Sequence, residues 1–162
     1  MAVLRNGRHG DRLCRRDGIY AVSVTPVVID TNVFVAAMRS EGGLSREVIR
    51  RAIRGEIEPL FSNALWLEYE AVLGRPIWTD VTSEAERRNV LDAIAAAGRW
   101  VKVYFGWRPN LRDPGDDHLV ELAVAGGAQA IITHNIRDVQ SGELKWQSLT
   151  VLTPRAFLEQ LS

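Results

Sequence analysis

From Pro26 onward the chain alternates short apolar runs with longer stretches in which apolar residues recur every three or four positions. Val27-Val28-Ile29 is a β-branched run of the kind that forms a buried strand. It ends at Asp30-Thr31-Asn32, and Val33 to Met38 opens a helix that Glu41-Gly42-Gly43 breaks. Ser45 can cap a second helix, with Val48, Ile49, Ala52 and Ile53 at helical spacing and Gly55 closing it. Glu58 to Ser62 predicts a strand. Asn63 to Leu73 predicts a helix with Leu65, Tyr69, Val72 and Leu73 on one side, stopped by Gly74-Arg75-Pro76. Ser83 and Glu86 form a capping-box pattern for a helix through Ala97, ended by Gly98. Trp100 to Phe105 alternates like a strand. Asp113-Pro114-Gly115-Asp116 turns into a helix from Asp117 to Ala125, which Gly126-Gly127 ends. Gln129 to Thr133 and Leu149 to Leu152 predict two more strands, and Thr153-Pro154 opens a last helix.

Strands separated by helices imply βαβ units, and hence an α/β fold. The expected architecture is a central, mostly parallel sheet with helices on both faces, a three-layer α/β/α sandwich. The 162 residues suit one domain, and the ordered pattern places it at 25–162. Residues 1–24 show no such pattern and carry five arginines against two aspartates. They are expected to be a frayed basic tail or the product of a start assigned too far upstream. A roughly 7–15-residue apolar core of the kind a secretory signal needs does not follow them.

A hydrophobic share of 46% with 25% charged residues excludes a disordered chain and a disulfide-stapled miniprotein. No apolar run approaches the ~18 residues of a membrane span. Cys14 is the only cysteine, so no intrachain disulfide forms, and a reducing cytoplasm is the expected setting. Twenty basic and twenty acidic groups give a net charge of zero, which excludes bulk attraction to nucleic acid. Setting the tail aside leaves 15 basic and 18 acidic groups, so the body is acidic.

The placement of those acids carries the chemistry. In a parallel α/β sheet, ligands bind beyond the carboxyl ends of the strands. Asp30 follows a strand directly, Asn135 and Asp138 follow another, and Asp113, Asp116 and Asp117 stand at a helix start on the same edge. Glu68 lies in the first half of the helix after the second strand. Each has a plainer role open to it: Asp30 as a helix cap, Asp116 and Asp117 as charges favoured by a helix dipole, Glu68 as a solvated residue. Together they make a crevice of carboxylates, which needs a cation or raised pKa values. Oxygen ligands without cysteine suit Mg²⁺ or Mn²⁺, ions that activate water and neutralise phosphoryl charge. The expectation is metal-assisted phosphodiester hydrolysis. His118 and His134 read as surface or satisfied residues. Trp66, Trp78, Trp100 and Trp107 read as packing, and Arg46, Arg50, Arg51 and Arg54 as a solvated helix face.

Four segments also resemble a known family. Val-Ile-Asp-Thr-Asn-Val-Phe-Val at 28–35 is similar to the opening strand of PIN-domain nucleases, the VapC-like and PilT N-terminus-like toxin ribonucleases among them. The segments 62–76, 113–123 and 130–139 resemble that family's second, third and fourth motifs, in order. The resemblance spans about 26–154. It implies a PIN-like sandwich of Rossmann-like topology and a metal-dependent endoribonuclease, the toxin of a type II toxin–antitoxin pair. It assigns Asp30, Glu68 and Asp116 as catalytic metal-binding acids. Thr31 is then the hydroxyl residue beside the first acid, and Asn32 the polar residue that orients the site. Asp113, Asp117 and Thr133 are supporting positions. At the fourth motif many members have Asp where this chain has Asn135, which offers a carbonyl oxygen without charge, and Asp138 is the nearest replacement carboxylate. The implied partners are RNA, a cognate antitoxin and a second copy of the chain, without a membrane. The alternatives are a catalytically weak or inactive PIN-fold interaction module, and a phosphatase or flap-type DNA nuclease on a related fold.

Overall fold

The computed structural model describes residues 24–104, 111, 113–142 and 147–162. Almost all of the expected basic tail, together with Trp107, lies outside the described residues.

Five strands, β1 (Thr25–Ile29), β2 (Ile57–Phe61), β3 (Arg99–Trp100), β4 (Ala130–Ile132) and β5 (Thr150–Leu152), form one sheet in the order β3-β2-β1-β4-β5. Every pairing among the described residues is parallel. The helices are α1 (Thr31–Arg39), α2 (Leu44–Ile53), α3 (Asn63–Leu73), α4 (Glu84–Ala97), α5 (Asp117–Gly126), α6 (Ile136–Val139) and α7 (Pro154–Gln160). Successive side chains of a strand point to opposite faces. Val27, Val28 and Ile29 are all buried, as are Ala130, Ile131 and Ile132, so both faces of the central strands are covered. That is the expected α/β/α sandwich.

The chain runs outward from β1 to β2 and β3, then crosses back to place β4 on the other side of β1. The reversal opens a crevice at the carboxyl ends of β1 and β4, where a parallel sheet offers a ligand site. Register Ile29↔Ile132 sets the two strand ends level, and Asp30 N still donates to Ile132 O at 2.9 Å.

Local signals place most element ends. The capping box of α4 is complete: Glu86 N donates to Ser83 Oγ at 3.2 Å and Ser83 N to Glu86 Oε2 at 2.8 Å. Thr153 caps α7 through Ala156 N. Gly127 ends α5 at φ 66°, a left-handed conformation that glycine adopts without strain. Two expectations give way. α2 starts after Gly43, and Ser45 sits inside it, its hydroxyl 2.8 Å from His134 Nε2. β3 is two residues long, because β2 ends at Phe61; Val101 N makes a last bond to Phe61 O, and no strand among the described residues pairs with 102–104.

The core gathers aromatic rings at the base of α3. Tyr69 is fully buried, edge-on to Phe34 at 5.2 Å and to Phe61 at 6.1 Å, and its hydroxyl donates to Ile29 O at 2.8 Å. Arg87 is also buried, stacking 4.9 Å over Trp78 and donating to Thr82 O and Leu73 O, which pins the end of α3 to α4. Gly98 is needed for space: a Cβ there would collide with Pro59 O and the Phe61 ring. Gly98→Ala is therefore expected to lower stability by about 1–3 kcal/mol, measured by urea unfolding; an unchanged midpoint would refute that reading.

Candidate active site

Asp30 leaves β1 and caps α1, accepting from Asn32 N at 3.4 Å. Capping does not exhaust it. The carboxylate also accepts from Thr133 Oγ1 at 2.6 Å and Asn32 Nδ2 at 2.8 Å, while only 6% exposed. Thr133, at the end of β4, is wholly buried; its one proton goes to Asp30, and its oxygen accepts from Asn32 Nδ2 and Asn135 N. Asn32 Oδ1 takes the His134 amide at 3.2 Å. Asn32 and Thr133 thus staple the ends of β1 and β4 together around Asp30.

Glu68 comes from the middle of α3. Thr31 Oγ1 donates to its Oε1 at 2.6 Å and stands 3.3 Å from Asp30 Oδ1, so one hydroxyl sits between two carboxylates. Asp116 ends a 3₁₀ turn (Pro114–Asp116) ahead of α5. The flanking acids hold backbone: Asp113 accepts from Gly115 N at 2.9 Å, and Asp117 from Leu111 N at 2.7 Å. Asp30, Thr31, Glu68, Arg75, Asp116 and Asn135 line one cavity of about 330 Å³. Asp138 is not in its wall. It accepts from Asn135 Nδ2 at 2.5 Å, so the carbonyl oxygen is the donor atom Asn135 has left for a ligand.

Two residues beside Glu68 were missed as functional in the sequence: Arg75, in the wall of this cavity, and His118, which touches Glu68 from outside that wall. His118 Nδ1 lies 2.7 Å from Gly115 O, an acceptor, so that nitrogen carries a proton. Its Nε2 is 2.9 Å from Glu68 Oε2, a close charge contact without the alignment of a full hydrogen bond. Burial pulls the His118 pKa down, but Glu68 outweighs it and the net shift is upward. Glu68 moves the other way, held low chiefly by His118. No local pattern announces His118 as the partner of a glutamate fifty positions away. Arg75 adds a second cation near Glu68. Asp30 is raised mainly by burial. Asp116 is raised to about 6, first by burial and then by the charges of Asp30, Asp113 and Glu68.

Asp30, Glu68, Asp116 and the Asn135 carbonyl offer hard oxygens to the cavity, and the acids repel one another, which fits Mg²⁺ or Mn²⁺. Among the described residues no three His, Cys, Asp or Glu side chains close around one point by themselves. A raised carboxyl pKa means the folded state holds its proton longer than the unfolded chain. Without metal, Asp116 therefore costs stability as pH rises from about 4 to about 6. The expected result is a melting temperature that falls over this window and recovers with Mn²⁺. An Asp116→Asn variant showing the same fall would refute the assignment.

A family model for the PIN domain matches residues 26–137. The chain belongs to the PIN-domain family. Among solved structures, this PIN domain is similar to VapBC2 from Rickettsia felis bound to a DNA fragment from its promoter, at TM-score 0.53 and 11% identity. The match covers 80% of this chain and 98% of that one. It is also similar to DNA-bound VapBC from Salmonella typhimurium, at TM-score 0.55 and 11% identity over 81% and 99% of the two chains. At such identity the likeness is one of fold. No curated protein sequence matches the chain. No helix among the described residues is long and apolar enough to cross a membrane.

Proposed function

We propose that this PIN domain is a divalent-metal-dependent endoribonuclease and the toxin of a toxin–antitoxin pair. The observation that carries the reading is that three acids from separate segments, Asp30, Glu68 and Asp116, face one cavity at the switch point of the sheet. These acids, with the Asn135 carbonyl, would hold Mg²⁺ or Mn²⁺. When bound, the ion supplies activation of water and neutralisation of charge on the phosphoryl oxygens. The chain's own part is positional and electrostatic. Thr133 and Asn32 fix the Asp30 carboxylate; Thr31 and His118 fix both oxygens of Glu68. Arg75, in the same wall, is placed to meet a substrate phosphate. The neighbours in fold are VapBC assemblies, which supports an antitoxin partner covering the acidic cavity, and a homodimer is expected by the same resemblance.

The test is incubation with structured RNA, with and without Mg²⁺ or Mn²⁺. Cleavage only with the ion, and stopped by a chelator, is the expected result. Intact RNA in the presence of either ion sinks the reading. One observation favours a second reading, an interaction module with a silent site: the fourth position is Asn135, its amide committed to Asp138. Calorimetric titration with Mn²⁺ separates the two, since the silent module gives no binding heat.

A further inference from the structure

Beside the acid cavity lies a larger one of about 750 Å³, and His118 belongs to its wall while touching Glu68 of the first. It opens over the carboxyl ends of β2 and β3, the edge of the sheet that carries Asp30. Its lining includes Asn63 at the start of α3, Trp100, Lys102 and Tyr104. Trp100 meets the expectation of a packing residue on one side only. It is 50% exposed, and Tyr104 is 79% exposed. The Trp100 ring is backed by Trp66 at 5.2 Å and Phe61 at 5.7 Å, so one side is fixed against the core while the rest stays open. Exposed Lys102 stands between the two rings in sequence, and Ser62, Asn63 and Ala64 at the start of α3 also line the wall. A firmly backed aromatic ring, a second ring and a cation are the elements of sequence-tolerant single-strand binding. In a duplex the base faces are occupied by their neighbours, so these rings select unpaired bases.

We propose that this cavity is a stacking subsite for one or two unpaired bases of the RNA whose phosphodiester lies in the acid cavity. Trp100 and Tyr104 take the base faces, and Lys102 takes a phosphate. The inference rests on the ribonuclease reading for its substrate class and adds where that substrate is gripped.

The experiment uses the full chain, an eight-nucleotide oligouridylate and a chelator that prevents cleavage. The wild-type protein is expected to lose tryptophan emission as the oligomer binds, and Trp100→Phe is expected to lose most of that quenching, although the chain has five tryptophans. Tyr104→Ala, on a ring outside the core, is expected to weaken binding about tenfold with an unchanged melting temperature. An abasic oligomer of equal length is expected to bind without the Trp100-dependent quenching. Equal affinity in Tyr104→Ala and Trp100→Ala, or equal quenching by the abasic oligomer, overturns the subsite. The two readings fail separately. Trp100-dependent binding without cleavage in Mg²⁺ removes the ribonuclease and keeps the subsite; cleavage with unchanged KM in both variants removes the subsite and keeps the ribonuclease.

Discussion

Asp30→Asn is expected to lower metal-dependent RNA cleavage by roughly 10²–10³-fold, the scale on which removing one preorganised electrostatic group lowers kcat, with little loss of stability. Asp30 is the most buried of the acids lining the cavity and the one most heavily supported. Asn has nearly the same shape. Its carbonyl oxygen can take the place of Oδ2 and keep the bonds from Thr133 and Asn32. Its amide then meets Thr31 Oγ1, which can accept, and faces the Asn32 amide only at 3.4 Å. Against that weak conflict stands relief, because burial raises the Asp30 pKa and the folded protein gains by losing the charge. Activity and stability should therefore separate: cleavage almost gone, melting temperature held or slightly raised. A variant that cleaves as fast as the parent ends the assignment of Asp30. One that unfolds shows instead that the carboxylate is structural.

Tyr69→Ala is expected to cost about 3–5 kcal/mol, the scale for deleting a buried aromatic, out of a total stability of about 5–15 kcal/mol. The ring fills the space between Phe34 and Phe61 and ties α3 to the end of β1 through Ile29 O. Ile29 immediately precedes Asp30, and Glu68 immediately precedes Tyr69, so one side chain sets the spacing of two acids. Tyr69→Phe keeps the ring and removes only the hydroxyl, for an expected loss of about 1 kcal/mol. Urea unfolding of the two variants distinguishes packing from hydrogen bonding. Equal losses would show that the ring itself contributes little.

The order of strands and helices was legible because each element carries its own signal: β-branched runs for β1 and β4, a capping box for α4, Pro and Thr for α7. What failed was decided elsewhere in the molecule. Ser45 looks like a cap, but its hydroxyl is taken by His134, eighty-nine positions away. The apolar alternation after Trp100 looks like a strand, but β2 ends too early to pair with it. At the site, the meeting of Asp30, Glu68 and Asp116 at one cavity was legible by motif, and for Asp30 by its place at a strand end; their part in catalysis is the proposal above. The division of labour among the supporting acids was not. Asp113 and Asp117 bond backbone, and Asp138 bonds the Asn135 amide, distinctions that hydrogen bonds make and spacing does not. His118 could not be assigned at all until α3 and α5 were packed together.

The pairing of β1 with β4 joins Val27 to Ala130, across most of the folded chain. Bringing together contacts so distant in sequence closes a long loop, at a higher entropic cost than a short one. Asp30 meets Thr133 only through that pairing, so a growing or nicked chain that lacks β4 has its first acid without its anchor. Cleavage by the proposed site should accordingly disappear with any opening that parts β1 from β4, which makes it a reporter of whether that pairing is closed.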